Sequence, residues 1–183
     1  LDYAETLTRN EIKKIPNGEY YFEDYLDDDS LGSDSKPVKI CVTLKVKGSK
    51  LEFDFAGTDQ QVDIAINNVP SCPNSVIYYA VRTLTGDRVP NNEGSFRPIK
   101  IKLPKGSIVN SNFPAPVAVR GITLKRVEDV VCGVMAKALP ERMTAAHSGQ
   151  YTMVNFVGKD LHGNRIQGHM GGPYAGGHGA RSN

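Results

Sequence analysis

The feature that most constrains the fold lies between residues 38 and 55. Val38, Ile40, Val42, Leu44 and Val46 alternate with Lys39, Cys41, Thr43, Lys45 and Lys47, the period-two pattern of a strand with one face buried. Gly48-Ser49 suits a two-residue turn, and Leu51, Phe53 and Phe55 resume the alternation on a returning strand. A hairpin of this kind needs a cover for its apolar face. Two segments offer one. Val76, Ile77, Ala80, Val81 and Leu84 lie at helical spacing between Pro73 and Thr85, ahead of Gly86. Val127, Val130, Val131, Val134, Met135 and Ala138 do the same in a longer helix expected over 123–139, stopped by Pro140.

The remaining segments fill in around these. Leu1 to Ile12 reads as the last turns of a helix, closed by Pro16-Asn17-Gly18. Four aromatics between Glu19 and Leu26 favour a strand, and Asp27 to Ser35 a solvated loop. Ile99 to Leu103 and Tyr151 to Val157 read as further strands. Strands and helices fall in separate runs, so the class is α+β, an antiparallel hairpin-containing sheet packed with two main helices. With 183 residues the chain is read as a single domain, residues 163–183 being a glycine-rich terminus expected to be flexible. Both ends read as cut, and 1–15 and 165–183 are expected to be mobile or to pack on neighbouring molecules.

Charge narrows the function classes. The 22 basic and 20 acidic residues leave a formal charge of +2, with no dense basic run, so nucleic acid is not expected as a partner. No apolar run approaches the length of a membrane span. Cys41, Cys72 and Cys132 are odd in number and without a CxxC pair, which argues against a disulfide framework and a zinc knuckle and fits the cytoplasm.

No phosphate loop, GxSxG elbow or HExxH is present. His147, His162, His169 and His178 cluster late in the chain at spacings that match no helix-borne ligand pair. The run Gly171 to Arg181 carries enough glycine for backbone amides to converge on an anion, and equally reads as a tightly packed turn. Asp54 and Thr58 could meet a ligand at a strand end or simply cap a turn. Asn67, Asn68, Asn91 and Asn92 read first as turn formers, and Arg126 with Asp129 as a surface ion pair.

These motifs stand in a recognisable order. Pro16-Asn17-Gly18-Glu19-Tyr20 is followed by Tyr25-Leu26-Asp27-Asp28-Asp29, Asp54-Phe55-Ala56-Gly57-Thr58 and Asn67. Then come Pro90-Asn91-Asn92-Glu93-Gly94, Arg97-Pro98-Ile99, Pro104-Lys105-Gly106-Ser107 and Pro114-Ala115-Pro116-Val117. Arg126 to Val131, Pro140-Glu141-Arg142 and Gly176 to Arg181 complete the series. The chain resembles the hydantoinase B/oxoprolinase family, which includes N-methylhydantoinase B subunits, 5-oxoprolinase and the acetone carboxylase alpha subunit.

The resemblance implies an internal segment of the B-type subunit of an ATP-dependent cyclic-amide hydrolase, not active alone. It implies a hydantoinase A-type subunit or domain as partner and a small-molecule substrate. The parent complex would use ATP with Mg2+ and a divalent metal, none of them expected on this segment. No metal ligand is carried over, and Asn67, Arg120 and His178 are the candidates for lining the substrate region. An acetone-carboxylase-type alpha subunit and a non-catalytic assembly module are the alternatives.

Overall fold

A computed structural model describes residues 1–27, 36–146 and 152–172, giving the backbone alone at 152, 153 and 170–172. Four strands form one sheet in the order β1-β2-β3-β4: β1 (Gly18–Leu26), β2 (Val38–Lys47), β3 (Lys50–Asp54) and β4 (Ile99–Lys102). The first three pair antiparallel, and Lys47 faces Lys50 across Gly48, whose φ of 60° is one that glycine adopts without strain. The fourth pairs parallel with β3, Leu51 facing Ile99. Parallel neighbours need a long crossover. Here it contains helix α2 (Ser71–Thr85) and the single turn α3 (Glu93–Phe96), to which Asn92 supplies a side-chain cap.

One face of the sheet is the core. Ile40, Val42, Leu44, Leu51, Phe53 and Phe55 are essentially inaccessible, and α4 (Gly121–Ala138) lies across β1 and β2 with α2 against it. The buried stripe of α4 is Val127, Val130, Val131, Val134 and Met135, as its spacing requires. Helix α1 (Asp2–Ile12) buries Ala4, Thr8 and Ile12 and touches α2, α3 and β3. Residues 1–15 were expected to be mobile or to seek neighbours; instead their apolar side packs within this chain.

The opposite face carries charge in register. Glu19 stands opposite Lys45 and pairs with it at 3.0 Å, and Lys102 reaches both Asp54 opposite it (3.2 Å) and Glu52 (2.5 Å). Glu52 is held below the usual carboxylate range by hydrogen bonds from Lys102 and Lys100.

A separate two-stranded ribbon joins β5 (Thr152–Lys159) to β6 (Arg165–Gly172). The second strand takes up Arg165–Gly172 of the glycine-rich terminus expected to be flexible. Asp160 makes the turn: its carboxylate accepts from the Asn164 side chain and from the backbone amides of Asn164 and His162, which hold it below its ordinary pKa. Residues 173–183 lie outside the described residues.

Candidate functional site

The candidate region is the surface around α4, whose two ends are built differently. At its start, two loops (55–70 and 103–120) are sewn together by asparagines. Asn67 is fully buried, and its Oδ1 accepts from the Val62 amide at 2.8 Å. Its Nδ2 donates to the carbonyls of Val62 (2.7 Å), Ile64 (3.0 Å) and Pro116 (2.9 Å). An amide so engaged holds the loops together and has no hydrogen to spare for a ligand.

Asn68 continues the seam. Its amide donates to Ile108, its carbonyl accepts from the Ser111 amide and hydroxyl, and its Nδ2 donates to the Arg120 carbonyl at 3.3 Å. Its Oδ1 is buried with no hydrogen-bond partner. Thr123, in the first turn of α4, donates to the Ile66 carbonyl at 2.6 Å. Arg120 therefore stands at the rim of the same junction as Asn67, its guanidinium exposed and, among the described residues, donating only to the Val117 carbonyl at 3.4 Å. The structure thus brings two of the three sequence candidates together. His178, the third, lies outside the described residues, as do His147 and the Pro173 to Arg181 part of the glycine run.

Along the other half of α4 runs a groove of about 330 Å3, lined by Phe22, Asp24, Asp129, Cys132, Gly133 and Lys137 and bounded by residues 144–146. Gly133 is needed there, because a Cβ would sit 2.7 Å from the Phe22 ring. Arg126 bridges Asp24 on β1 and, at 3.6 Å, Asp129, which is 4% exposed. The expected surface ion pair is therefore a sheet-to-helix tie at the edge of the core. Burial, and then the charges of Glu128 and Asp129, push the Cys132 thiol up to about 11. It stays protonated at neutral pH and is a poor nucleophile.

Asp54 and Thr58 take their structural reading. Thr58 donates to the Cys41 carbonyl and accepts from the Cys41 amide, while Asp54 accepts from the Ala56 amide. Sequence reasoning missed Asp24 and Gly133; a glycine inside an apolar helical pattern was the available signal for the second.

The hydantoinase B/oxoprolinase family model matches residues 1–183, the whole chain. The chain belongs to that family. It is 35% identical over 191 residues to the B-type D-/L-hydantoinase protein of Pseudomonas sp. (strain NS671), covering 95% of this chain and 32% of that one. It is 36% identical over 110 residues to the 5-oxoprolinase of Saccharomyces cerevisiae, covering 60% of this chain and 8% of that protein. Among solved structures, the ATP-dependent caprolactamase from Pseudomonas jessenii superposes with a TM-score of 0.76 at 25% identity, over 91% of this chain and 28% of that one. A nucleotide-free acetone carboxylase superposes with a TM-score of 0.74 at 14% identity, over 90% of this chain and 24% of that one, a likeness of fold alone. This family segment thus spans about a third or less of the length of these relatives.

Among the described residues no three His, Cys, Asp or Glu side chains cluster as a metal site. No described helix is long and apolar enough to cross a membrane.

Proposed function

We propose that this chain is a domain-sized segment of the B-type subunit of an ATP-dependent cyclic-amide hydrolase of the N-methylhydantoinase/oxoprolinase type. The observation that carries the reading is the family match over all 183 residues, joined to 35% identity with a B-type hydantoinase protein across 95% of the chain. On this reading it works with an A-type subunit or domain, in the cytoplasm, where its three free thiols fit a reducing medium.

The chemistry explains the division of labour. An unstrained amide is resonance-stabilised, so attack by water is slow. Transfer of the terminal phosphoryl group of ATP to the carbonyl oxygen, with release of ADP, turns that oxygen into part of a leaving group. Water then adds to the carbon, the C–N bond breaks with protonation of nitrogen to leave an acyl phosphate, and a second water cleaves that to the carboxylate and inorganic phosphate. A divalent metal in the complete complex would supply hydroxide at neutral pH. Among the described residues no His, Cys, Asp or Glu cluster is fitted to hold one.

What this chain contributes is a shaped wall. Asn67 holds the two loops at the α4 junction in place, and Arg120 stands at the rim of the substrate region with its cation exposed. His178 completes the candidate set. An acetone-carboxylase-type subunit is the second reading, favoured only by the shared fold.

The test combines the chain with a purified A-type subunit, ATP and Mg2+, and follows release of phosphate and opening of hydantoin or 5-oxoproline. The proposal expects the chain to bind the A-type subunit, and the complete B-type subunit to restore ring opening. A complete subunit that instead carboxylates acetone, and opens neither ring, would overturn it. A thermal-shift titration with Mn2+, Zn2+ and Mg2+, with and without ATP, should leave the melting temperature of this chain unmoved.

A further inference from the structure

Four bonds clasp the start of α4 to the loop that precedes α2. Asn67 Nδ2 donates to the Pro116 carbonyl at 2.9 Å, the Val119 amide to the Ala65 carbonyl at 2.7 Å, and Thr123 Oγ1 to the Ile66 carbonyl at 2.6 Å. The fourth, from Asn68 Nδ2 to the Arg120 carbonyl, is the longest of them at 3.3 Å. The first three suffice to hold the junction. The fourth falls on the residue whose cation stands at the rim of the proposed substrate region.

Asn68 is a poor choice if stability is its only task. It is fully buried, and its backbone is already satisfied, its amide by the Ile108 carbonyl and its carbonyl by Ser111. Among the described residues its side-chain amide makes one of the four hydrogen bonds open to it, and Oδ1 has no partner. A buried polar atom left unpaired works against the fold and asks for a role elsewhere. The Arg120 carbonyl does not depend on Asn68 either, because it accepts the Leu124 amide at 3.0 Å inside α4. An apolar side chain at position 68 would therefore strand no donor or acceptor of the junction.

What the bond does is fix a direction. Arg120 is the N-cap residue of α4, and no side chain caps the helix there. Its amide and its Nη1 both donate to the Val117 carbonyl, at 3.3 and 3.4 Å, so its side chain lies back along its own turn. The Leu124 amide holds the Arg120 carbonyl from within the helix and Asn68 holds it from the loop. Two donors on one carbonyl fix the rotation of the peptide group that follows the side chain. Asn68 is enclosed within this chain, so the contact is independent of what a longer protein lays over the surface.

We infer that Asn68 is a positioning residue: its side-chain amide sets the Arg120 carbonyl and thereby aims the Arg120 guanidinium at the substrate. The inference rests on the reading of Arg120 as part of the substrate region of a B-type subunit. A guanidinium at the rim holds substrate and transition state alike, so misaiming it raises KM and leaves kcat nearly unchanged.

The experiment measures ring opening by the complete B-type subunit with its A-type subunit, ATP and Mg2+. It compares the parent with Asn68→Leu, Asn68→Ala, Arg120→Ala and the double variant Asn68→Leu with Arg120→Ala, and records a thermal melt of each. Asn68→Leu should melt with the parent or above it, and should raise KM about tenfold with kcat within about twofold. Asn68→Ala, which cannot overfill the site, should raise KM by the same factor at a temperature where it is folded. Arg120→Ala should raise KM at least as far, and the double variant no further than Arg120→Ala, because one residue acts through the other. Lowered melting temperatures in both Asn68 variants with KM unmoved would overturn the inference and make Asn68 a structural bond alone. Losses that multiply in the double variant would overturn it as well, since Asn68 would then act by a route other than Arg120. A parental KM in Arg120→Ala would overturn both the positioning and the place given to Arg120, and would leave the B-type reading standing. Failure of the parent complex to open either ring would remove the B-type reading itself, and the inference with it.

Discussion

The β2–β3 hairpin and the β5–β6 hairpin are built on the same antiparallel plan and end in opposite circumstances. In the first, the inward side chains belong to the buried core, and Phe53 and Phe55 are inaccessible. In the second, Val154, Phe156 and Ile166 share one face and stand 45–55% exposed. Phe156 lies over Gly168, where a Cβ would come within 2.4 Å of the ring. Alternation specifies which residues share a face; it says nothing of what covers that face.

The sharpest way to break the comparison is to remove the same side chain from each hairpin. Phe53→Ala should cost about 3–5 kcal/mol, because the close-packed core around it cannot fully collapse into the space left. Phe156→Ala should stay within about 0.5 kcal/mol, the usual range for an exposed position. Urea melts of both variants decide it. Equal losses would mean that the ribbon is covered by this chain.

The loop seam at the start of α4 should come next. Asn67→Ala leaves the Val62 amide and three carbonyls without their side-chain partner, at a cost of about 2–3 kcal/mol for burying them unsatisfied. Hydrogen exchange at the Val62 amide should quicken well before the β2 amides do. If the Val62 amide stays as protected as in the parent chain, Asn67 does not hold the loops.

Gly133 tests the contact between α4 and β1. Gly133→Val forces a side chain against the Phe22 ring and should destabilise by about 1–3 kcal/mol. Pairing it with Phe22→Ala should recover part of that loss, since residues in contact do not add. Strict additivity in the double variant would deny the contact.

These cases show what was legible beforehand. The β2–β3 hairpin, α2 and the long α4 follow from periodicity, and their ends move by two residues at most: α2 begins at Ser71 rather than Pro73, and α4 runs from Gly121 to Ala138. Strand β6 was not legible, because Gly168, Gly171 and Gly172 dilute its alternation and the Asp160 turn depends on side-chain hydrogen bonds. At the candidate site, Asn67 and Arg120 were named from the family resemblance. Their joining is tertiary: it depends on bonds spanning about fifty residues, such as Asn67 to Pro116 and Asn68 to Arg120. Asp24 was hidden for the same reason, its partner Arg126 lying 102 positions away.

The smallest expected effect separates the charged face of the sheet from its buried one. Glu52 is made more acidic by hydrogen bonds from Lys102 and Lys100 and then by their charges. Lys102 is raised in turn, chiefly by Glu52. A carboxylate more acidic in the folded chain than in the unfolded one stabilises fully above its unfolded pKa. That contribution is lost as pH falls through the folded value. Below the ordinary glutamate range, therefore, the melting temperature should fall as acid is added, and Glu52→Gln should flatten part of that slope while changing little at neutral pH. The pair is exposed, so added salt should shrink the difference further. Phe53→Ala carries no such charge and should lower the melting temperature by a similar amount across the same range, so a pH slope that changes in Phe53→Ala and not in Glu52→Gln would place the acid sensitivity elsewhere than on this ladder of cross-strand ion pairs.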